Sequence, residues 1–144
     1  MQQLGFKFLG VKIISARNVK RKGAKVDHVY CVVSLVGDSV SVDGTHSTYV
    51  RSCNGEFCAT FDESFTLGPL VSMSQGISIK LYDKRIGRIL TDDKCIAETI
   101  LPTLSETAVF GQTEEKISWI SLKSDSLFED TGDIQVGFLL KKSI

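Results

Sequence analysis

Ile77-Ser-Ile-Lys-Leu-Tyr-Asp83 decides the fold: Ile77, Ile79 and Leu81 alternate with Ser78, Lys80 and Tyr82. A period of two places the aliphatic residues on one face and the polar ones on the other, as in a β-strand with one face buried. The same pattern returns at Ile134, Val136, Phe138 and Leu140. Working outward, segments rich in β-branched and aromatic residues occur at Phe8 to Ala16, Val29 to Leu35, Thr48 to Arg51, Ala59 to Phe65, Cys95 to Leu101 and Ile117 to Leu122. Turn signals separate them, among them Val36-Gly-Asp38, Val42-Asp-Gly44, Asn54-Gly55 and Thr131-Gly-Asp133. Only Leu104 to Phe110 reads as a helical turn. The expectation is all-β: an eight-stranded antiparallel β-sandwich.

The chain has 144 residues, 42% hydrophobic and 24% charged, which suits one compact domain over 1–144 with a core from about residue 6 to 140. No basic segment followed by an apolar run opens it, and no stretch is long enough to cross a bilayer, so a soluble, unsecreted protein is expected. Cys31, Cys53, Cys58 and Cys95 form no C-x-x-C pair, and reduced thiols are the expectation. The formal net charge is zero and the pI near 6.7, so no global basic field points to nucleic acid. Charge is instead concentrated locally. Lys20, Arg21, Lys22 and Lys25 share one predicted loop, and Lys84, Arg85 and Arg88 another.

The successive segments Leu9-Gly-Val-Lys-Ile-Ile-Ser-Ala-Arg-Asn-Val19, Tyr30-Cys-Val-Val-Ser-Leu35, Phe61-Asp-Glu-Ser-Phe65, Ile79-Lys-Leu-Tyr-Asp83, Ile96-Ala-Glu-Thr-Ile100, Trp119-Ile-Ser-Leu122 and Gly132-Asp-Ile-Gln-Val136 resemble, in order, the landmarks of a C2 domain. The resemblance covers nearly the whole chain. Its Gly-x-Ile-x-Val strand stands last, which resembles the permuted type II topology. The resemblance implies a non-enzymatic module that docks on phospholipid, in many members through calcium held by loop aspartates. Such an ion needs six to eight oxygen ligands, and clustered carboxylates both coordinate it and offset its charge.

The residues here depart from that pattern. With Tyr30 matched to the family tyrosine, the preceding family aspartates fall on His28 and Lys22, leaving Asp27 one position out of register. In the later loop Asp83 matches, the next position is Arg85, and Asp92 and Asp93 lie near a slot taken by Lys94. Two like charges about 4 Å apart at a partly exposed site repel by about 4 kcal/mol, enough to erase a micromolar site. The reading is therefore calcium-independent, with no cofactor, and Asp27, Asp83, Asp92 and Asp93 form the set for the alternative of calcium-dependent binding.

The later loop interleaves cations with aliphatic residues. Lys22, Lys25, Lys84, Arg85 and Arg88 are assigned to phosphates, and Ile86 and Ile89 to the headgroup boundary of an anionic phospholipid membrane. The rival assignment is a protein partner, with the chain acting as a scaffold in a cytoskeletal, ciliary or trafficking assembly; either implies a cytoplasmic, peripheral-membrane or cytoskeleton-associated protein. His46-Ser-Thr-Tyr-Val-Arg51, compared with a lysine-rich lipid-binding strand of some C2 domains, carries only Arg51. Asp62 and Glu63 are expected to face opposite ways and serve structure, and Trp119 to anchor the core. The histidine and cysteine spacings match no zinc site.

Overall fold

The computed structural model describes residues 7–19, 26, 28–36, 45–53, 57–70, 75–84, 94–101, 114–124 and 130–142. Nine strands run through them: β1 (Phe8–Arg17), β2 (His28–Val36), β3 (Thr45–Ser47), β4 (Arg51–Ser52), β5 (Phe57–Leu67), β6 (Gly76–Asp83), β7 (Lys94–Leu101), β8 (Lys116–Lys123) and β9 (Asp130–Lys141). Every pairing is antiparallel, in the order β3-β2-β6-β7-β8-β9-β1-β5, with β4 also on β2. The ladder folds into two layers at β7 and β8, which share the single pair Glu98↔Lys123. The last strand lies between β1 and β8, where the type II resemblance puts it.

The alternation read from sequence decides which face of each strand turns inward. Leu9, Val11 and Ile13 on β1, Val29, Cys31 and Val33 on β2, Ile77, Ile79 and Leu81 on β6, and Ile134, Val136 and Phe138 on β9 are all buried. Each large aliphatic or aromatic side chain so removed from water contributes about 1.5–3 kcal/mol. At the layers' other margin side chains do the joining. His46 stacks on Phe65 with ring centroids 5.3 Å apart, and the Glu63 carboxylate accepts the Tyr49 N–H at 2.9 Å and pairs with Arg51 Nη2 at 3.6 Å.

One local expectation needs correction. The strand expected at Thr48 to Arg51 is broken into β3 and β4, because Thr48 bonds Cys31 twice: its N–H donates to the Cys31 carbonyl and its hydroxyl accepts the Cys31 N–H, both at 2.9 Å. The chain then turns outward, leaving Tyr49 and Val50 exposed. Asp62 adopts φ 50° at an irregularity opposite β1, where the register passes from Ile13↔Glu63 to Ser15↔Thr60. Aspartate tolerates this left-handed conformation, and the kink turns Glu63 toward Tyr49 while Asp62 stays in solvent. The expected helical turn at Leu104 to Phe110 lies outside the described residues.

Phe138 is among the largest side chains that are fully buried. Phe138→Ala is expected to lower the free energy of unfolding by about 3–5 kcal/mol in urea melts at an unchanged m-value; a loss under about 1 kcal/mol would contradict this placement of the core.

Candidate functional site

Four strand ends lie at the same end of the sandwich. β1 stops at Arg17, β2 starts at His28, β6 stops at Asp83 and β7 starts at Lys94, with β4 and the first residue of β5 alongside. The pairs Val29↔Asp83, Asp83↔Lys94, His28↔Ser52 and Arg17↔Phe57 place these strand ends side by side. One further bond ties two of them: the Lys84 N–H donates to the His28 carbonyl at 2.9 Å. The segments carrying the two basic clusters therefore root next to each other, since antiparallel neighbours start and stop at the same end.

Of the residues assigned to a site, Lys84 sits half-buried at this root, one residue past β6. Lys22, Lys25, Arg85, Ile86, Arg88 and Ile89, and Asp27, Asp92 and Asp93, lie outside the described residues. Asp83 ends the inward row of Ile77, Ile79 and Leu81 and is 5% exposed, at the mouth between the layers. His28, in the place of a family aspartate, is on the opposite side of β2 from buried Val29. It shares that outer face with Tyr30, whose ring stacks on Tyr82 at 5.2 Å and 9°. Among the described residues no three of histidine, cysteine, aspartate and glutamate gather as metal ligands.

The cysteines divide by surroundings. Cys31 is fully buried, and loss of hydration, then the nearby Glu63 charge, push its thiol far above the ordinary range, so it stays protonated and unreactive. Cys95 is also a thiol, its Sγ directed at the Ala97 carbonyl at 3.6 Å, whereas Cys53, 4% exposed beside β4, is disulfide-bonded and departs from the default of reduced thiols. Arg51, the lone cation of its segment, is engaged: it pairs with Glu63, reaches the Phe61 carbonyl at 3.5 Å and lies 5.9 Å from the Tyr49 ring centroid.

Trp119 is not a core anchor. Ser118, Ile120 and Leu122 form the inward row of β8, so Ile117 and Trp119 face out and are 53% and 37% exposed. The Arg17 guanidinium lies 3.9 Å from the centre of the Trp119 ring, while its Nε donates to Asp133 Oδ2 at 3.2 Å. Sequence reasoning passes over Arg17 because its partners are more than a hundred positions away and come near only through the β1–β9–β8 register.

The family model of the C2 domain matches residues 7–122. This chain belongs to the C2 domain family. Among solved structures, the first-named C2 module, domain A, of plant extended synaptotagmin 1 superposes with a TM-score of 0.74 at 18% identity, over 99% of this chain and 99% of that one. Human GIVD cytosolic phospholipase A2 gives 0.68 at 14% identity over 94% of this chain, which spans only 17% of the enzyme. The calcium-bound pair of C2 domains, A and B, of extended synaptotagmin 2 gives 0.65 at 13% identity, over 94% of this chain and 45% of theirs. No curated protein matches the sequence. Members of this family are, in general, non-catalytic modules that bind phospholipid membranes or proteins. No helix among the described residues is long and apolar enough to cross a membrane.

Trp119 is the lone tryptophan, which makes its exposure measurable. Acrylamide should quench the emission of the folded C2 domain readily, approaching the unfolded protein's quenching constant; the strong protection of a core tryptophan would contradict the placement.

Proposed function

We propose that this C2 domain docks reversibly on anionic phospholipid through the end of the sandwich that carries both basic segments, that it does so without calcium, and that it performs no catalysis. The observation that supports the reading is the bond from the Lys84 N–H to the His28 carbonyl, which joins the two strand ends next to which the sequence carries Lys22 and Lys25 and carries Arg85 and Arg88. A cluster split between opposite ends could not meet one flat membrane.

The physical terms favour salt-sensitive attachment. Each basic residue near an anionic leaflet contributes about 1 kcal/mol, so half a dozen give on the order of 6 kcal/mol, a dissociation constant of tens of micromolar. Ile86 and Ile89 add apolar contact at the headgroup boundary. A calcium site at the same end would need carboxylates where the chain has His28, Lys22 and Arg85. Of Asp27, Asp83, Asp92 and Asp93, the set for the calcium alternative, Asp83 is the one within the described residues, and it is buried at the mouth.

The purified protein is expected to sediment with phosphatidylserine vesicles in chelator at low salt, and to be released as salt rises toward physiological strength. The paired change Arg85→Glu and Arg88→Glu should weaken binding by more than about tenfold with the melting temperature nearly unchanged. Binding seen only with calcium, or unaltered in the variant, would overturn the loop assignment.

A further inference from the structure

The outer face of the β8–β9–β1 layer carries residues that the loop end does not use. Ile117 and Trp119 are successive outward residues of β8, so their side chains stand about 7 Å apart along the strand. Beside them across the ladder lie Gly137 and Gln135, from the pairs Ile117↔Gly137 and Trp119↔Gln135. Gly137 adds no side chain, and Gln135 is fixed by a hydrogen bond from Ser15 Oγ at 3.3 Å. The Glu115 side chain lies across Gly137, so the part of the patch left open is Ile117 and the Trp119 ring.

Arg17 completes it. Its guanidinium rests on the Trp119 ring at 3.9 Å and gives its Nε to Asp133, whose other oxygen accepts a weak bond from Ser121 Oγ at 3.5 Å. Neither terminal nitrogen has a partner among the described residues, and the side chain is 38% exposed. Stacking and the Nε bond fix the plane before any ligand arrives, so the remaining N–H fork is presented at little entropic cost. Such a fork fits a carboxylate. Exposed tryptophan and arginine side by side are also the residue types that dominate the energetics of protein interfaces.

We propose that this face binds an acidic segment of a partner polypeptide, one carboxylate on the Arg17 fork and a neighbouring apolar side chain on Trp119 and Ile117. The charges favour a polypeptide over a lipid surface. Arg17 and Lys123 are interspersed with Asp133 and Glu115, whose side chain lies across Gly137. A mixed-sign, flat flank suits a partner with matching carboxylates, whereas a uniform sheet of anionic headgroups would meet two fixed negative charges. The face stands on its own contacts and does not depend on the loop reading; together they would let the domain hold a membrane at its end and a polypeptide on its side.

The lone tryptophan reports on the site directly. The probe is a capped peptide of the repeat Leu-Ser-Glu-Ser, which when extended presents leucine and glutamate on one side; the control replaces glutamate with lysine. Titration is expected to change Trp119 emission saturably at submillimolar peptide, with no response to the control. Arg17→Gln should weaken binding by about tenfold, and Arg17→Lys, which keeps the charge without the fork, nearly as much, both with an unchanged melting temperature. Ile117→Ser should also weaken it, and gives a second variant remote from Arg17. No emission change at millimolar peptide, equal binding of the lysine control, or a response in Arg17→Gln equal to the wild type would each overturn the proposal. So would a Trp119 response to phosphatidylserine vesicles with none to the peptide, which would assign the face to lipid.

Discussion

The β2–β6 ladder is the constraint on which the rest of the structure depends. Eight pairs run from Val29↔Asp83 to Val36↔Gly76, and one side-chain parity serves all of them. A slip of one residue would turn one strand's row outward, either Val29, Cys31 and Val33 or Ile77, Ile79 and Leu81, at a cost of several kilocalories per mole. The register is thus held by burial far more than by any single hydrogen bond. Where the ladder ends, the same register places His28 and Lys84 in contact and sets Asp83 at the mouth between the layers. Core and candidate site share one cause.

The margins of the two layers are closed in different ways. At β7 and β8 a single pair suffices, while on the opposite side Glu63 crosses from β5 to Tyr49 and Arg51, and His46 meets Phe65. Side chains there replace a backbone ladder that the turn at Thr48 prevents. The Glu63 charge also adds to the burial that keeps the Cys31 thiol protonated. Arg51, spent on this closure, offers little to a lipid face. On the other layer Arg17 stacks on Trp119 and bonds Asp133 through its Nε alone.

Much of this is legible in the residues. Period-two alternation in β1, β2, β6 and β9 reveals both the strands and their inward faces, since burial depends on the pattern that can be counted. What escapes is whatever depends on partners distant in the chain. The split of the expected Thr48 to Arg51 strand follows from bonds to Cys31, and nothing in β-propensity signals them. Trp119 misleads because β8 has apolar residues in both parities, Ile117 and Trp119 against Ile120 and Leu122, and only the packing of Leu122 decides between them. The Arg17–Trp119 stack is invisible for the same reason: it exists only once β9 brings β1 and β8 together. At the loop end, the sequence supplies the charges, and the strand ends supply their common root.

The central claim is that one end of this C2 domain, and no other part, meets the membrane without calcium. The most direct measurement is the immersion depth of nitroxide labels placed at Ile86, beyond β6, and at Lys7, at the opposite end, on phosphatidylserine vesicles in chelator, read by power saturation with oxygen and a polar nickel complex. The account predicts that the label at Ile86 lies at the headgroup boundary while the label at Lys7 stays in water. Equal aqueous exposure of both on vesicle-bound protein, or immersion at Lys7 instead, would contradict it.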